Sequence, residues 1–128
     1  MRFLCLYKPA KKEGHPPSQQ EIAAMGQLID DMTKAGVLLS TEGCQSSAKG
    51  ARVRLADGAI TVTDGPFAES KELIGGFAII QVKSKDEAIE WTRRFLTVAG
   101  DGESEIRLRH EAADFAPEAT QAAGRARA

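Results

Sequence analysis

The feature that most restricts the fold is a structural plan that occurs twice. Ser18-Gln19-Gln20-Glu21 has the spacing of a capping box, in which serine and glutamate satisfy each other's orphan backbone donors at a helix start. Behind it Ile22, Met25, Ile29 and Met32 step by 3, 4 and 3, with Leu28 beside them, which makes one apolar helical face; Gly36 is placed to end it. Ser84-Lys85-Asp86-Glu87 repeats the box, Ala88, Trp91, Phe95 and Val98 repeat the stepping, and Gly100 repeats the stop. Strand-like segments flank each helix: residues 2–8 and 37–42 around the first, 76–82 and 105–110 around the second. In the last of these Ile106 and Leu108 alternate with Glu105, Arg107 and Arg109, as in a strand with one wet face. Two β-α-β units in one short chain predict an α+β fold of the ferredoxin-like, split βαβ kind. Asp57-Gly58, the type I′ turn pair, lies between Arg52–Leu55 and Ile60–Thr63 and adds an extra β-hairpin.

Composition limits what such a chain can do. Its 128 residues correspond to one domain, large enough to bury about two thirds of its unfolded surface without disulfide or structural metal. Seventeen basic against 18 acidic side chains leave a net charge of −1, which argues against direct nucleic-acid binding, since that needs a positive field to displace counterions. No apolar run approaches the ~20 residues of a membrane-spanning helix, and the start reaches Tyr7-Lys8-Pro9 too soon for a signal peptide. Two unpatterned cysteines fit reduced thiols and a cytoplasmic location. After Phe115 the chain lacks large apolar residues, so the expected organisation is a domain over 1–114 and a disordered tail over 115–128.

The strand patterns raise a packing problem. Residues 2–8 present Phe3, Cys5 and Tyr7 on one side and Leu4 and Leu6 on the other; residues 77–82 present Phe77 and Ile79 opposite Ala78, Ile80 and Val82. Both strands therefore need cover on both faces. Two helices on one face leave the other bare, so that face is expected to meet a second subunit, alone or enclosing a ligand pocket.

No CxxC, HExxH, GxSxG, Walker A or GxGxxG motif is present, so no metal or cofactor is expected. Cys5 reads as a small core residue and Cys44 as a loop thiol; His15 and His110 read as exposed loop and strand histidines. The hairpin register puts Leu55 opposite Ile60, Val53 opposite Val62 and Ala51 opposite Asp64, so Asp64 shares the apolar side. That makes it a candidate general base or acid, or else an Asx-turn residue before Gly65-Pro66. Glu42, with the parity of Leu38, is the candidate that would tune it, and the two are expected to point into one cavity. Lys8, Phe67, Glu69, Lys71 and Glu72 are the candidate ligand-binding residues, most of them in an unusually long, charged connection over 63–76.

Thr63-Asp64-Gly65-Pro66-Phe67-Ala68-Glu69-Ser70-Lys71-Glu72, followed by Gly75-Gly76-Phe77, resembles the signature of the DGPF branch of the YCII-related family. The likeness extends over Leu6-Tyr7-Lys8, Ala35–Leu38, Glu42-Gly43, Gly50–Arg54 and Ala88–Trp91, about residues 1–112. The resemblance implies a dimeric α/β-barrel type of ferredoxin-like fold and bacterial, cytoplasmic homodimers whose biochemical function is mostly unassigned. Some relatives resemble lyases or isomerases of small cyclic substrates with a His–Asp pair, but residues 18–35 contain no histidine here. DGPF proteins also resemble domains encoded beside, or fused to, extracytoplasmic-function sigma factors, and that resemblance implies a sensing or accessory role.

Two functions remain open on the sequence. One is a small-molecule ligand-binding or sigma-factor-associated regulatory protein. The other is a cofactor-free lyase or isomerase in which Asp64 moves a proton, Glu42 tunes it and Lys71 anchors an anionic group.

Overall fold

A computed structural model describes residues 1–11, 13–68 and 73–115. Its elements run β1 (Arg2–Pro9), α1 (Gln19–Lys34), β2 (Leu38–Gly43), β3 (Ala51–Ala56), β4 (Ala59–Asp64), β5 (Gly76–Gln81), α2 (Lys85–Ala99) and β6 (Gly102–Leu108). The helix starts follow from their caps. Glu21 N–H donates to Ser18 Oγ at 3.1 Å, and Glu87 N–H donates to Ser84 Oγ at 3.1 Å. The return bond of the second box comes one residue early, from Lys83 N–H to Glu87 Oε2 at 3.0 Å. Helix α1 ends in a Schellman motif: Gly36 N–H donates to Thr33 O, Val37 N–H donates to Met32 O, and Gly36 takes φ +71°. Val37 and Met32 are both buried, so the stop is locked by the core as well.

The four-stranded sheet has the order β2-β5-β1-β6 with every neighbouring pair antiparallel, which is the split βαβ arrangement expected from the sequence. Strands β3 and β4 form a separate two-stranded hairpin. Its register is Ala51↔Asp64, Val53↔Val62 and Leu55↔Ile60, and Asp57 and Gly58 both have positive φ, as a type I′ turn requires. Both helices cover one sheet face, and Arg94 of α2 donates to Asp31 Oδ2 of α1 at 2.8 Å. Gln27 and Arg94, both hydrogen-bonded to Asp31, hold its carboxyl below the usual range.

Two boundaries differ from the sequence reading. Strand β6 covers Gly102–Leu108 rather than 105–110, because β1 continues to Pro9, which pairs with Gly102, while Phe3 is the last β1 partner at the other end, opposite Leu108. His110 thus lies beyond the strand, 3.6 Å from Asp114. In β2 the register shifts between Leu38 and Ser40: Leu38 pairs with Ile80, but Ser40 pairs with Ile79 and Glu42 with Phe77. This bulge reverses the parity, so Glu42 shares the face of Phe77 and not that of Leu38. Of the tail expected over 115–128, residues 116–128 lie outside the described residues. Among the described residues no helix is long and apolar enough to cross a membrane.

The core gathers at one end of the helix-covered face, where Phe3, Leu28, Met32, Val37, Ile80, Val82 and Ala88 are buried together. Ile80 is 1% exposed, on a strand with neighbours on both sides. Ile80→Ala should lower the unfolding free energy in urea titration by about 2–5 kcal/mol. Gly36→Ala should cost about 1–2 kcal/mol, because alanine must adopt the left-handed conformation there. A loss under about 0.5 kcal/mol for Ile80→Ala would contradict this packing.

Candidate functional site

The rows of the sheet explain where the chain leaves space. On the helix-covered face the row of Phe3, Ile80 and Leu38 carries bulky side chains and is closed by the helices. The next row is Cys5, Ala78 and Thr41, flanked by Ile106; the next is Tyr7, Gly76 and Gly43, flanked by Ser104. These residues are mostly small, so the helix layer cannot close on them. Gly76 has no alternative, because a Cβ there would meet Glu42 O at 2.8 Å. A cavity of about 740 Å³ results, roofed by Ile22, Met25, Gly26 and Ile29 of α1 and by Trp91, Thr92, Phe95 and Val98 of α2.

The cavity wall is chiefly aliphatic and aromatic, with single hydroxyls interspersed and Glu21 and Glu42 also in the lining. Tyr7 and Phe95 meet edge to face at 5.0 Å, and Tyr7 Oη lies 3.4 Å from both Gly100 O and Asp101 O. Burial, then the Asp101 charge, pushes the Tyr7 phenol above its ordinary pKa. Thr92 Oγ1 donates to Ala88 O at 2.8 Å, and Thr41 Oγ1 donates to Phe77 O at 3.2 Å. Burial pushes the Cys5 thiol up to about 11, with a hydrogen bond to Thr92 opposing it. The sulfur is therefore an apolar wall atom and not a nucleophile at neutral pH. A smaller cavity of about 340 Å³ lies beside the first and shares Tyr7, Pro17, Glu21, Gly75 and Ala99 with it; Lys11, His15 and Cys44 line its far side.

The residues singled out from the sequence are spread over several surfaces. Asp64 is exposed at the base of the hairpin, paired with Ala51 on the same side as Val53 and Val62, and lines neither cavity. Glu42 is exposed at the rim of the large cavity, but the β2 bulge turns its side chain to the opposite sheet face. The expectation that both carboxylates enter one cavity is thus not met in the chain itself. Lys8 is on that opposite face too, with Nζ 3.2 Å from Glu105 Oε1. Phe67 is a loop anchor: its N–H donates to Ser47 Oγ at 3.0 Å, and the Arg52 guanidinium lies 4.0 Å over its ring. Glu69, Lys71 and Glu72 lie outside the described residues. The sequence reading missed the cavity because it looked for space on the bare sheet face. The signal available was the run of small residues, Cys5, Ala78 and Gly76, facing the helices.

The two cysteines should separate by reactivity. In the native protein at pH 8 a disulfide-exchange reagent should titrate one thiol rapidly, exposed Cys44, and reach the second only in denaturant or as the pH nears 11. Rapid reaction of both native thiols, counted against the Cys44→Ser variant, would contradict the half-buried position and raised pKa of Cys5.

Comparison with known proteins places the chain. One solved structure, 5-chloro-2-hydroxyhydroquinone dehydrochlorinase from Burkholderia phenoliruptrix AC1100 in complex with 2,5-dihydroxybenzoquinone, is 18% identical and covers 87% of this chain and 96% of its own, with a TM-score of 0.41. An uncharacterized protein of Rhizobium meliloti (strain 1021) is 46% identical over 43 residues, so the match spans 34% of this chain and 35% of that relative. The YCII-related domain matches residues 1–108, and the chain belongs to the YCII-related family.

Proposed function

We propose that the protein is a binding module for a small, largely apolar cyclic molecule, held between the helices and the sheet. In this reading it is a homodimeric sensing or accessory member of the DGPF branch, linked to an extracytoplasmic-function sigma factor and working in the cytoplasm. The observation that carries the reading is the cavity of about 740 Å³, within the range usual for small-molecule sites. Its rings, Tyr7, Trp91 and Phe95, offer flat apolar surface, and the hydroxyls of Tyr7, Thr41, Thr92 and Ser104 offer neutral polar contacts that can orient a ligand. Glu21, at the junction of the two cavities, and Glu42, at the rim of the larger one, are the carboxylates in the lining.

The enzymatic alternative, a cofactor-free lyase or isomerase using Asp64 and Glu42, needs both carboxylates beside the bound molecule. Their separation onto different surfaces of the protomer weighs against it, and among the described residues no histidine lines the large cavity.

Gly26 offers a direct test. It lines the cavity from α1, and a Cβ added there meets nothing within 4 Å. Gly26→Leu should fill the cavity while raising helix propensity by about 0.8 kcal/mol. A thermal-shift screen of small cyclic and carboxylated compounds should find ligands that raise the melting temperature of the wild type. For each such ligand Gly26→Leu should lower affinity by about tenfold or more by calorimetry, without loss of stability. Ligands that bind both proteins equally would show that the cavity is not the site.

A further inference from the structure

Among the described residues the lining of the large cavity carries two carboxylates, Glu21 and Glu42, and no lysine, arginine or histidine. Its charged side chains are thus of one sign, in walls that are otherwise apolar and aromatic. An anion brought into such a lining would lose water and gain no partner, which is costly. A cation would find its partner in place.

Of the two carboxylates, Glu21 is the one placed to meet a ligand. It is half-buried in the first turn of α1, at the junction of the large and small cavities. Its backbone N–H is taken by Ser18 Oγ, but among the described residues its carboxylate neither accepts a hydrogen bond nor meets a cation. The second helix behaves differently: there Glu87 folds back to accept from Lys83 N–H at 3.0 Å. Glu42 stands at the rim with its side chain directed to the other sheet face, so it adds to the negative field without closing on a ligand.

A second wall adds to that field. Val98 and Ala99, in the last turn of α2, line the cavity, and no basic side chain in that turn offsets the negative end of the helix. Asp101 follows just beyond; after burial, its charge is the second cause that raises the Tyr7 phenol. Tyr7 and Phe95 contribute aromatic rings, whose faces attract cations. The positive end of α1 opposes this, but the full charge of a carboxylate in its first turn outweighs the roughly half charge of a helix terminus. The nearby cations are engaged or lie elsewhere. Arg94, 4.7 Å over the Trp91 ring, is paired with Asp31 and does not line the cavity, and Lys11 and His15 line only the small cavity.

We propose that the large cavity selects a cyclic molecule bearing a protonated amine, with the Glu21 carboxylate as its counter-ion and the ring system held among Tyr7, Trp91 and Phe95. Such selection rests on the reading of this cavity as the binding site and adds the charge of its ligand.

Three compounds of nearly one shape test it: tryptamine, tryptophol and indole-3-propionate carry an ammonium, a hydroxyl and a carboxylate on the same two-carbon indole arm. By calorimetry at neutral pH and low salt, tryptamine should bind about tenfold or more tighter than tryptophol, and indole-3-propionate more weakly than either. Glu21→Gln keeps the side-chain shape and the Ser18 cap, which uses the backbone N–H, so its melting temperature should stay close to that of the wild type. In this variant tryptamine should fall to the affinity of tryptophol, with tryptophol itself unchanged. Glu21→Asp, which keeps the charge, should retain most of the preference for tryptamine. Tryptamine that binds no tighter than tryptophol, whether both bind or neither does, would overturn the proposal, and so would a preference that survives Glu21→Gln. Tighter binding of indole-3-propionate would overturn it too and would point to Lys11 and His15 in the small cavity. The underlying reading is judged apart from this: if Gly26→Leu leaves the affinity of whichever compound binds unchanged, the cavity is not the site, whatever the order of the three.

Discussion

The pairing of β1 with β5 is the constraint on which the rest of the molecule depends. Phe3 opposite Ile80, Cys5 opposite Ala78 and Tyr7 opposite Gly76 fix what the helices see, while Leu4 opposite Ile79 and Leu6 opposite Phe77 fix what they do not. A slip of one residue would exchange the two sets and put the buried Phe3 and Ile80 on the bare face. Because β1 also pairs with β6, and β5 with β2, both outer strands inherit this choice of face. The core, the cavity and the uncovered surface are three consequences of one register.

Along that register side-chain size decides between packing and space. Phe3, Ile80 and Leu38 are large and meet Leu28 and Met32 of α1 directly. Two residues further along β1, Cys5 faces Ala78 and Thr41, and the helices bridge a gap instead of filling it. The space opens to solvent along α1, where Ile22 is exposed, so it is a cleft with a largely apolar lining and not a void in the core. The polar groups around it are hydroxyls and a thiol held protonated by burial, with the carboxylates of Glu21 and Glu42 also in the lining.

Electrostatic contacts refine this frame without supporting it. The ion pairs Lys8–Glu105, Arg107–Glu105 and Arg94–Asp31 are all partly exposed, and contacts of that kind contribute little in water. Their value is in orientation: Arg94 ties α2 to α1 above the core, and Glu105 gathers two cations at the margin of the open sheet face.

Local chemistry was legible in the sequence. The serine caps, the glycine stops, the 3-4-3 stepping and the Asp57-Gly58 turn each act within a few residues, so the helices, most strand positions and the hairpin register could be read directly. The relation of Asp64 to the apolar side of the hairpin was legible for the same reason. Glu42 was misread because a bulge between Leu38 and Ser40 is set by pairing with β5, a partner almost forty residues away, and one extra residue reverses every side chain after it. The cavity was hidden because volume depends on which small residues from three strands fall in one row. What the sequence alone determined is therefore the elements, their order and the two-sided apolar character of β1 and β5. Only tertiary structure decided which face the helices took, where space remained beneath them, and that the hairpin stands clear of its own sheet, since each depends on contacts between segments far apart in the chain.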